Sequence, residues 1–134
     1  MSKNDIIVQF EPLQEEDLPV LWAWLKEAHV KAWWDQETEK YKTYIKGYKL
    51  VQGIKKPIRA YLAKIEEVPV AYLQLYNAYD FKRDEPLPTD FPKSLCAVDF
   101  FIGNPAFVNK GLGRFILNEF LKKYNANKML SNFY

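Results

Sequence analysis

Asp99 is the one charged side chain in an otherwise apolar run from Leu95 to Ile102. An ion in such surroundings is costly unless it is paired, so Asp99 needs either a partner within the protein or a cationic ligand. It is then either a carboxylate that receives a cation and relays a proton, or a structural residue bonded to nearby backbone donors. A second constellation follows it, Val108-Asn109-Lys110-Gly111-Leu112-Gly113-Arg114. Two glycines between an apolar strand and a helix leave the first helical amides unshielded, and such amides bind phosphate with help from the helix dipole. Lys110 and Arg114 add cationic groups at the rim. The alternative is an ordinary strand-to-helix turn whose glycines serve close packing.

The remaining reactive residues carry less. His29 is the only histidine and reads as a packing or structurally bonded residue. Cys96, the only cysteine, has no His or Asp at an informative spacing and lies in the apolar run, where a thiolate would be disfavoured. It can form no internal disulfide, has no metal-ligand spacing around it, and fits a reducing compartment. Metal ligation is not expected. Trp33 and Trp34 either wall a cleft or divide between core and rim.

These residues must be positioned by elements that the patterning outlines. Ile6, Val8 and Phe10 alternate up to Pro12, which predicts a first strand. From Gln14 the apolar positions Leu18, Leu21, Trp22 and Leu25 follow helical spacing, with Glu15, Glu16 and Asp17 in the first turn. A further helix is predicted over Glu37 to Tyr48, with Tyr41, Tyr44, Ile45 and Tyr48 on one face. Arg59 to Ile65 and Val70 to Tyr76 form a predicted hairpin around Glu66, Glu67 and Pro69. Asp80 to Ser94 is a long charged loop with three prolines. Leu95 to Ile102 reads as a central strand buried on both faces. The helix that follows the glycines is expected to run through Tyr124 and to end at Asn125 and Asn127, and Lys128 to Tyr134 could begin another strand.

At 134 residues, 49% of them apolar and 16% aromatic, the chain suffices for one domain with one packed core, 1–134. Its 19 basic and 17 acidic residues are interspersed, too even a balance to imply nucleic-acid binding. No apolar run reaches the ~20 residues of a membrane span, and the N-terminus lacks a signal-peptide segment. The expectation is a cytoplasmic protein.

Val108 to Gly113 resembles the pyrophosphate-binding motif of the GNAT N-acetyltransferase superfamily: Gln or Arg, two residues of any kind, Gly, one residue, then Gly or Ala. Val108 departs from it at the first position, where the family uses mostly backbone amides. The stretch Val98-Asp99-Phe100-Phe101-Ile102-Gly103 followed by Lys110-Gly111-Leu112-Gly113 is similar to the aminoglycoside 6'-N-acetyltransferases and the siderophore-lysine acyltransferases, which carry an Asp at this spacing. Phe10-Glu11-Pro12-Leu13, Trp22-Ala23-Trp24-Leu25, His29-Val30 with Trp33-Trp34, and Val70 to Tyr76 resemble the opening segments and third strand of that branch.

The resemblance implies an α/β (α+β) fold with a central mixed, mostly antiparallel sheet flanked by helices. It implies acetyl-CoA as co-substrate and a small-molecule primary amine as acceptor, of the aminoglycoside 6'-amine type; a siderophore hydroxylysine acceptor and an inactive CoA-binding or dimerisation module are the alternatives. Asp99 would be the catalytic residue. Backbone groups of Phe101, Ile102 and Gly103 would align the pantetheine arm, and Val108, Asn109, Lys110, Gly111, Leu112, Gly113 and Arg114 would hold the diphosphate. Trp33, Trp34, Tyr76 and the loop acids Asp84 and Asp90, with Asp80 and Glu85 beside them, would meet the acceptor. A whole domain of this family continues past the fifth strand with an Asn-bearing loop, another helix and two strands. The resemblance therefore implies a shortened domain whose open strand at Lys128 favours a homodimer.

Overall fold

The computed structural model describes residues 6–80 and 96–124. The loop expected over 80–94 lies outside them except at Asp80, as do the strand expected from Lys128 and the helix end expected at Asn125 and Asn127.

Strand β1, Val8–Pro12, turns its alternate residue Phe10 into the core. After it, the Gln14 backbone N–H donates to the Asp17 carboxylate at 2.9 Å, so the acidic residues cap a short 3-10 turn, Glu15–Asp17. Helix α1, Leu18–Leu25, then buries Leu18, Leu21, Trp24 and Leu25 at three- and four-residue spacing. Helix α2 is the single turn Ala28–Lys31, and α3 is Lys40–Ile45 with Tyr41 and Tyr44 buried.

Here the structure corrects the expected helix over 37–48. Gly47 at φ +92° provides the left-handed residue that ends α3, and Tyr48 opens a strand, β2, Tyr48–Val51. Gln52 and Gly53, both at positive φ, fold β2 back onto β3, Ile54–Ile65. The predicted hairpin is present, with β3 joined to β4, Val68–Asn77, through Glu66 and Glu67. Strand β5 is Cys96–Ile102, and helix α4 is Gly113–Lys123.

The strand order is β1-β3-β4-β5, with β2 paired to β3, and every pair among the described residues is antiparallel. Alternation along β3 and β4 splits the core in two. Phe10, Tyr61, Ala63, Leu73 and Leu75 pack with Leu112, Ile116 and Phe120 on the α4 face. Ile58, Leu62, Tyr72 and Phe101 pack with α1, α2 and α3 on the other. The strands buried on both faces are thus β3 and β4. Strand β5, expected to be so, has only Phe101 fully buried, because among the described residues it has one strand neighbour, β4. Among those residues no helix is long and apolar enough to cross a membrane.

Candidate acceptor cavity and anion cradle

Alternation along β5 sends its side chains to different chemistry. Val98, Phe100 and Ile102 join the α4 side of the core, while Phe101 joins the α1–α3 side, the side on which period-two alternation also sets Asp99. The antiparallel register places Asp99 opposite Gln74 and, two residues along, Ala97 opposite Tyr76. The Tyr76 hydroxyl donates to Asp99 Oδ2 at 2.7 Å, and Gln74 Nε2 donates to the same oxygen at 3.2 Å. The Tyr72 hydroxyl in turn donates to Gln74 Oε1 at 2.8 Å. Burial holds the Tyr72 hydroxyl well above the ordinary tyrosine range, so it stays a protonated donor. The amide of Gln74 is thereby oriented with its NH2 toward the carboxylate, and Asp99 Oδ2 accepts from two side-chain donors.

Asp99 opens into a cavity of about 570 Å3 that Trp33, Trp34 and Tyr76 also line. Four of the six residues expected at the reaction centre and acceptor therefore share one space; Asp84 and Asp90 lie outside the described residues. Trp34 is fixed by its indole N–H, which donates to Tyr41 Oη at 3.0 Å, and by edge contacts with Phe101 at 4.7 Å and Tyr72 at 6.1 Å. Trp33 packs edge-on to Trp34 at 5.3 Å and is 62% exposed. The adjacent tryptophans thus divide into wall and rim. Asp80, counted among the loop acids, approaches Lys56 at 3.8 Å instead.

Sequence reasoning missed the polar lining that comes from elsewhere: Gln74 on β4, Asp35 and Lys40 around the start of α3, and Lys49 on β2. Lys40 pairs with Asp35 at 2.5 Å. Burial, and next the charge of Lys40, push the Lys49 ammonium below the usual lysine range, while Asp35, Glu37 and Asp99 act the other way. The signal for Lys49 was the Gln52-Gly53 turn, which marks a hairpin and so a strand at 48–51.

On the other face, α4 begins against the end of β5. A Cβ at Gly113 would meet Ile102 Cδ1 and the Phe100 ring at 3.9 Å, ordinary contact distance. Asn109 at φ +62° and Gly111 at φ +70° turn the chain into the helix, and Leu112 stands at the N-cap, where no side chain caps the helix. The first intrahelical bond runs from the Ile116 amide to the Leu112 carbonyl at 2.8 Å. The amides of Gly113, Arg114 and Phe115 consequently lack intrahelical acceptors. Val108 ends a 3-10 turn, Pro105–Phe107, and Asn109, Lys110 and Arg114 are exposed. These residues fit a diphosphate: open amides at the positive end of a helix, two exposed cations, and a glycine that the protein's own packing does not demand.

The backbone at the end of β5 is firmly tied. Gly103 N–H donates to the Val70 carbonyl at 3.0 Å, and His29 Nε2–H donates to the Ile102 carbonyl at 2.8 Å. The lone histidine is thus a structural link from α2 to β5. A Cβ on Gly103 would fall 2.0 Å from the Trp24 ring, so this position is glycine because an indole lies across it. Cys96, at the far end of β5, has its thiol pushed up to about 11, chiefly by burial.

A family model described as an acetyltransferase (GNAT) domain matches residues 14–129. Among solved structures, the chain is similar to aminoglycoside acetyltransferase AAC(6')-Ib in complex with coenzyme A and kanamycin, at TM-score 0.66 and 21% identity over 94% of this chain and 68% of that one. It is also similar to an uncharacterised protein of Bacillus halodurans, at TM-score 0.65 and 17% identity over 92% and 62%. An aminoglycoside N(6')acetyltransferase from Legionella pneumophila aligns at TM-score 0.59 and 20% identity over 85% and 62%. The chain thus spans between 62% and 68% of the length of these proteins. No curated protein matches it in sequence.

Proposed function

The chain belongs to the GNAT acetyltransferase family, and on that footing we propose that it transfers acetyl from acetyl-CoA to a primary amine held at Asp99. The observation that carries this is the placing of Asp99 in a roomy cavity on one side of β5, with the uncapped start of α4 against the other side. Asp99 and Ile102 are three residues apart along the strand, about 10 Å. A cofactor anchored by its diphosphate at Gly113 could reach the cavity past that strand.

An alkyl ammonium has a pKa near 10, so about one molecule in a thousand is nucleophilic at neutral pH. Asp99 binds the ammonium and takes up or relays its proton. The freed nitrogen attacks the thioester carbonyl, the C–S bond breaks, and the thiolate leaves to take a proton from solvent or a nearby donor. Gly113, Arg114 and Phe115 supply amides to the diphosphate, while Lys110 and Arg114 add charge at its edge. Backbone of Phe101, Ile102 and Gly103 lies along the path of the pantetheine arm. Since Ile102 C=O and Gly103 N–H are bonded to His29 and Val70, their part is to hold the strand edge in place.

The finer reading is an aminoglycoside acceptor acetylated at its 6'-amine. It is supported by likeness to AAC(6')-Ib, whose structures hold kanamycin and ribostamycin. A hydroxylysine acyltransferase is the second reading, favoured by the lysines of the cavity. We place the protein in the cytoplasm as a homodimer, which light scattering tests by mass. The deciding assay follows thiol release from acetyl-CoA with kanamycin, N6-hydroxylysine and simple alkylamines. Binding of acetyl-CoA with no thiol released from any amine would establish a non-catalytic CoA-binding module instead.

A further inference from the structure

The sheet carries a notch beside the acceptor cavity. Strand β1 pairs with residues 61–65 of β3, and β2 pairs with residues 54–57, so residues 58–60 lie between the two partner strands. Two backbone bonds bracket them: Leu13 N–H donates to the Ala60 carbonyl at 2.9 Å, and Ile58 N–H donates to the Gly47 carbonyl at 3.1 Å. A second cavity, of about 270 Å3, lies there against Pro12, Leu13, Gly47 and Ala60.

Tyr44 and Ile58 line both cavities, and the residues around them show that they divide the two. Going along α3, Lys40 lines the acceptor cavity, Ile45 and then Gly47 line the notch, and Tyr44 stands between. On β3, Ile58 lines both, while Arg59, Ala60 and Tyr61 line the notch. Both dividing side chains are buried. The Tyr44 ring packs edge-on to Tyr41 at 5.4 Å, and Tyr41 in turn accepts the Trp34 indole N–H, so the end of the cavity is braced by its side wall. Strand register gives the distance. Asp99 stands opposite Gln74, and Gln74 opposite Ala60, a row across one face of the sheet. Ile58 is the next residue of β3 on that face. Two strand spacings across and two residues along put it about 12 Å from Asp99 between Cα atoms, less the reach of the side chains at either end.

We propose that Tyr44 and Ile58 are specificity-determining residues, the end wall that limits how far an acceptor extends from the amine held at Asp99. A primary amine whose chain runs across β4 toward β3 is accepted until it meets this wall, and a longer one is not. The inference rests on the acyl-transfer reading for the placing of the amine, and adds a length limit to it.

Calorimetric titration in millimolar coenzyme A tests the wall without requiring turnover, with butylamine, hexylamine, octylamine and decylamine as probes. Affinity should rise about fourfold with each methylene buried, then level off or fall before decylamine. Tyr44→Leu and Ile58→Ala each open the cavity into the notch, so the first probe past the wild-type limit should bind about tenfold tighter to them than to the wild type. Leu62→Ala removes a buried side chain from the same core cluster and should lower the melting temperature without moving the limit. Affinity that climbs through decylamine in the wild type overturns the proposal. So does a limit that stays in place in whichever of the two wall variants folds, a limit that Leu62→Ala moves as far, or no binding by any probe. Thiol release from acetyl-CoA, measured in parallel, separates the two readings. A movable limit without release sinks acyl transfer and upholds the wall, whereas release indifferent to chain length does the reverse.

Discussion

Asp99 could be read from sequence because a charge in an apolar run demands an explanation, but its partners could not. Tyr76 and Gln74 reach it through the β4–β5 register, which no local pattern reveals. If Asp99 takes the proton of the bound ammonium, Asp99→Asn should lower kcat/KM for an alkylamine about 100- to 10,000-fold at pH 7. The deficit should shrink toward pH 10, where the amine deprotonates in solution. A loss constant with pH would show a carboxylate that only positions. Cys96 makes the opposite case. With its thiol pushed up to about 11 by burial, the folded state favours the neutral form, so the thiolate stays scarce well above neutrality. Its alkylation by iodoacetamide at pH 8 should be about two orders of magnitude slower in the native protein than in urea, rising tenfold per pH unit up to that value. Equal rates at pH 8 would contradict the burial.

The elements that declared themselves were those in which local preference and tertiary demand agree. Leu18, Leu21 and Leu25 keep helical spacing and are buried as α1, and the alternating runs of β3 and β4 are strands with both faces covered. The segment at 37–48 failed for an identifiable reason. Tyr41, Tyr44 and Tyr48 share a helical face, but Gly47 in the left-handed region ends α3, and the alternation of β2 runs for only four residues, too few to outweigh the helical reading. Missing β2 meant missing Lys49. The β3–β4 turn shows the reverse conflict, since Glu66 and Glu67 both take positive φ, 50° and 69°, where a side chain costs about 1–2 kcal/mol. Two-residue hairpins with both residues at positive φ prefer Asn-Gly. Glu66→Asn with Glu67→Gly should therefore raise unfolding stability by roughly 1 kcal/mol, read as a higher midpoint in urea with an unchanged slope. A lower midpoint would mean that the glutamates stabilise the hairpin in a way their backbone angles do not show.

Taken as a whole, the molecule is a sheet with two unlike faces: α4 and its open amides on one, the aromatic cavity on the other, and β5 between them. The resemblance gave this arrangement in outline, yet composition and periodicity could not say which strands lie at the centre, because burial on both faces depends on neighbours distant in sequence. Both functional features converge on β5, so ligand binding at α4 should be felt by the entire fold. A ligand that binds only the native state at about 100 times its dissociation constant adds about 2.7 kcal/mol, or roughly 10 °C in melting temperature for a domain of this size. Acetyl-CoA should produce such a shift. Gly113 then distinguishes a cradle from mere packing. A Cβ there meets only ordinary contacts within the protein, and alanine is the better helix former, so Gly113→Ala should melt at or slightly above the wild type without ligand. If the backbone of α4 must come up against a diphosphate, that same methyl stands in the way and the acetyl-CoA shift should largely vanish. A variant that melts as predicted but keeps the full shift would place the diphosphate away from the start of α4.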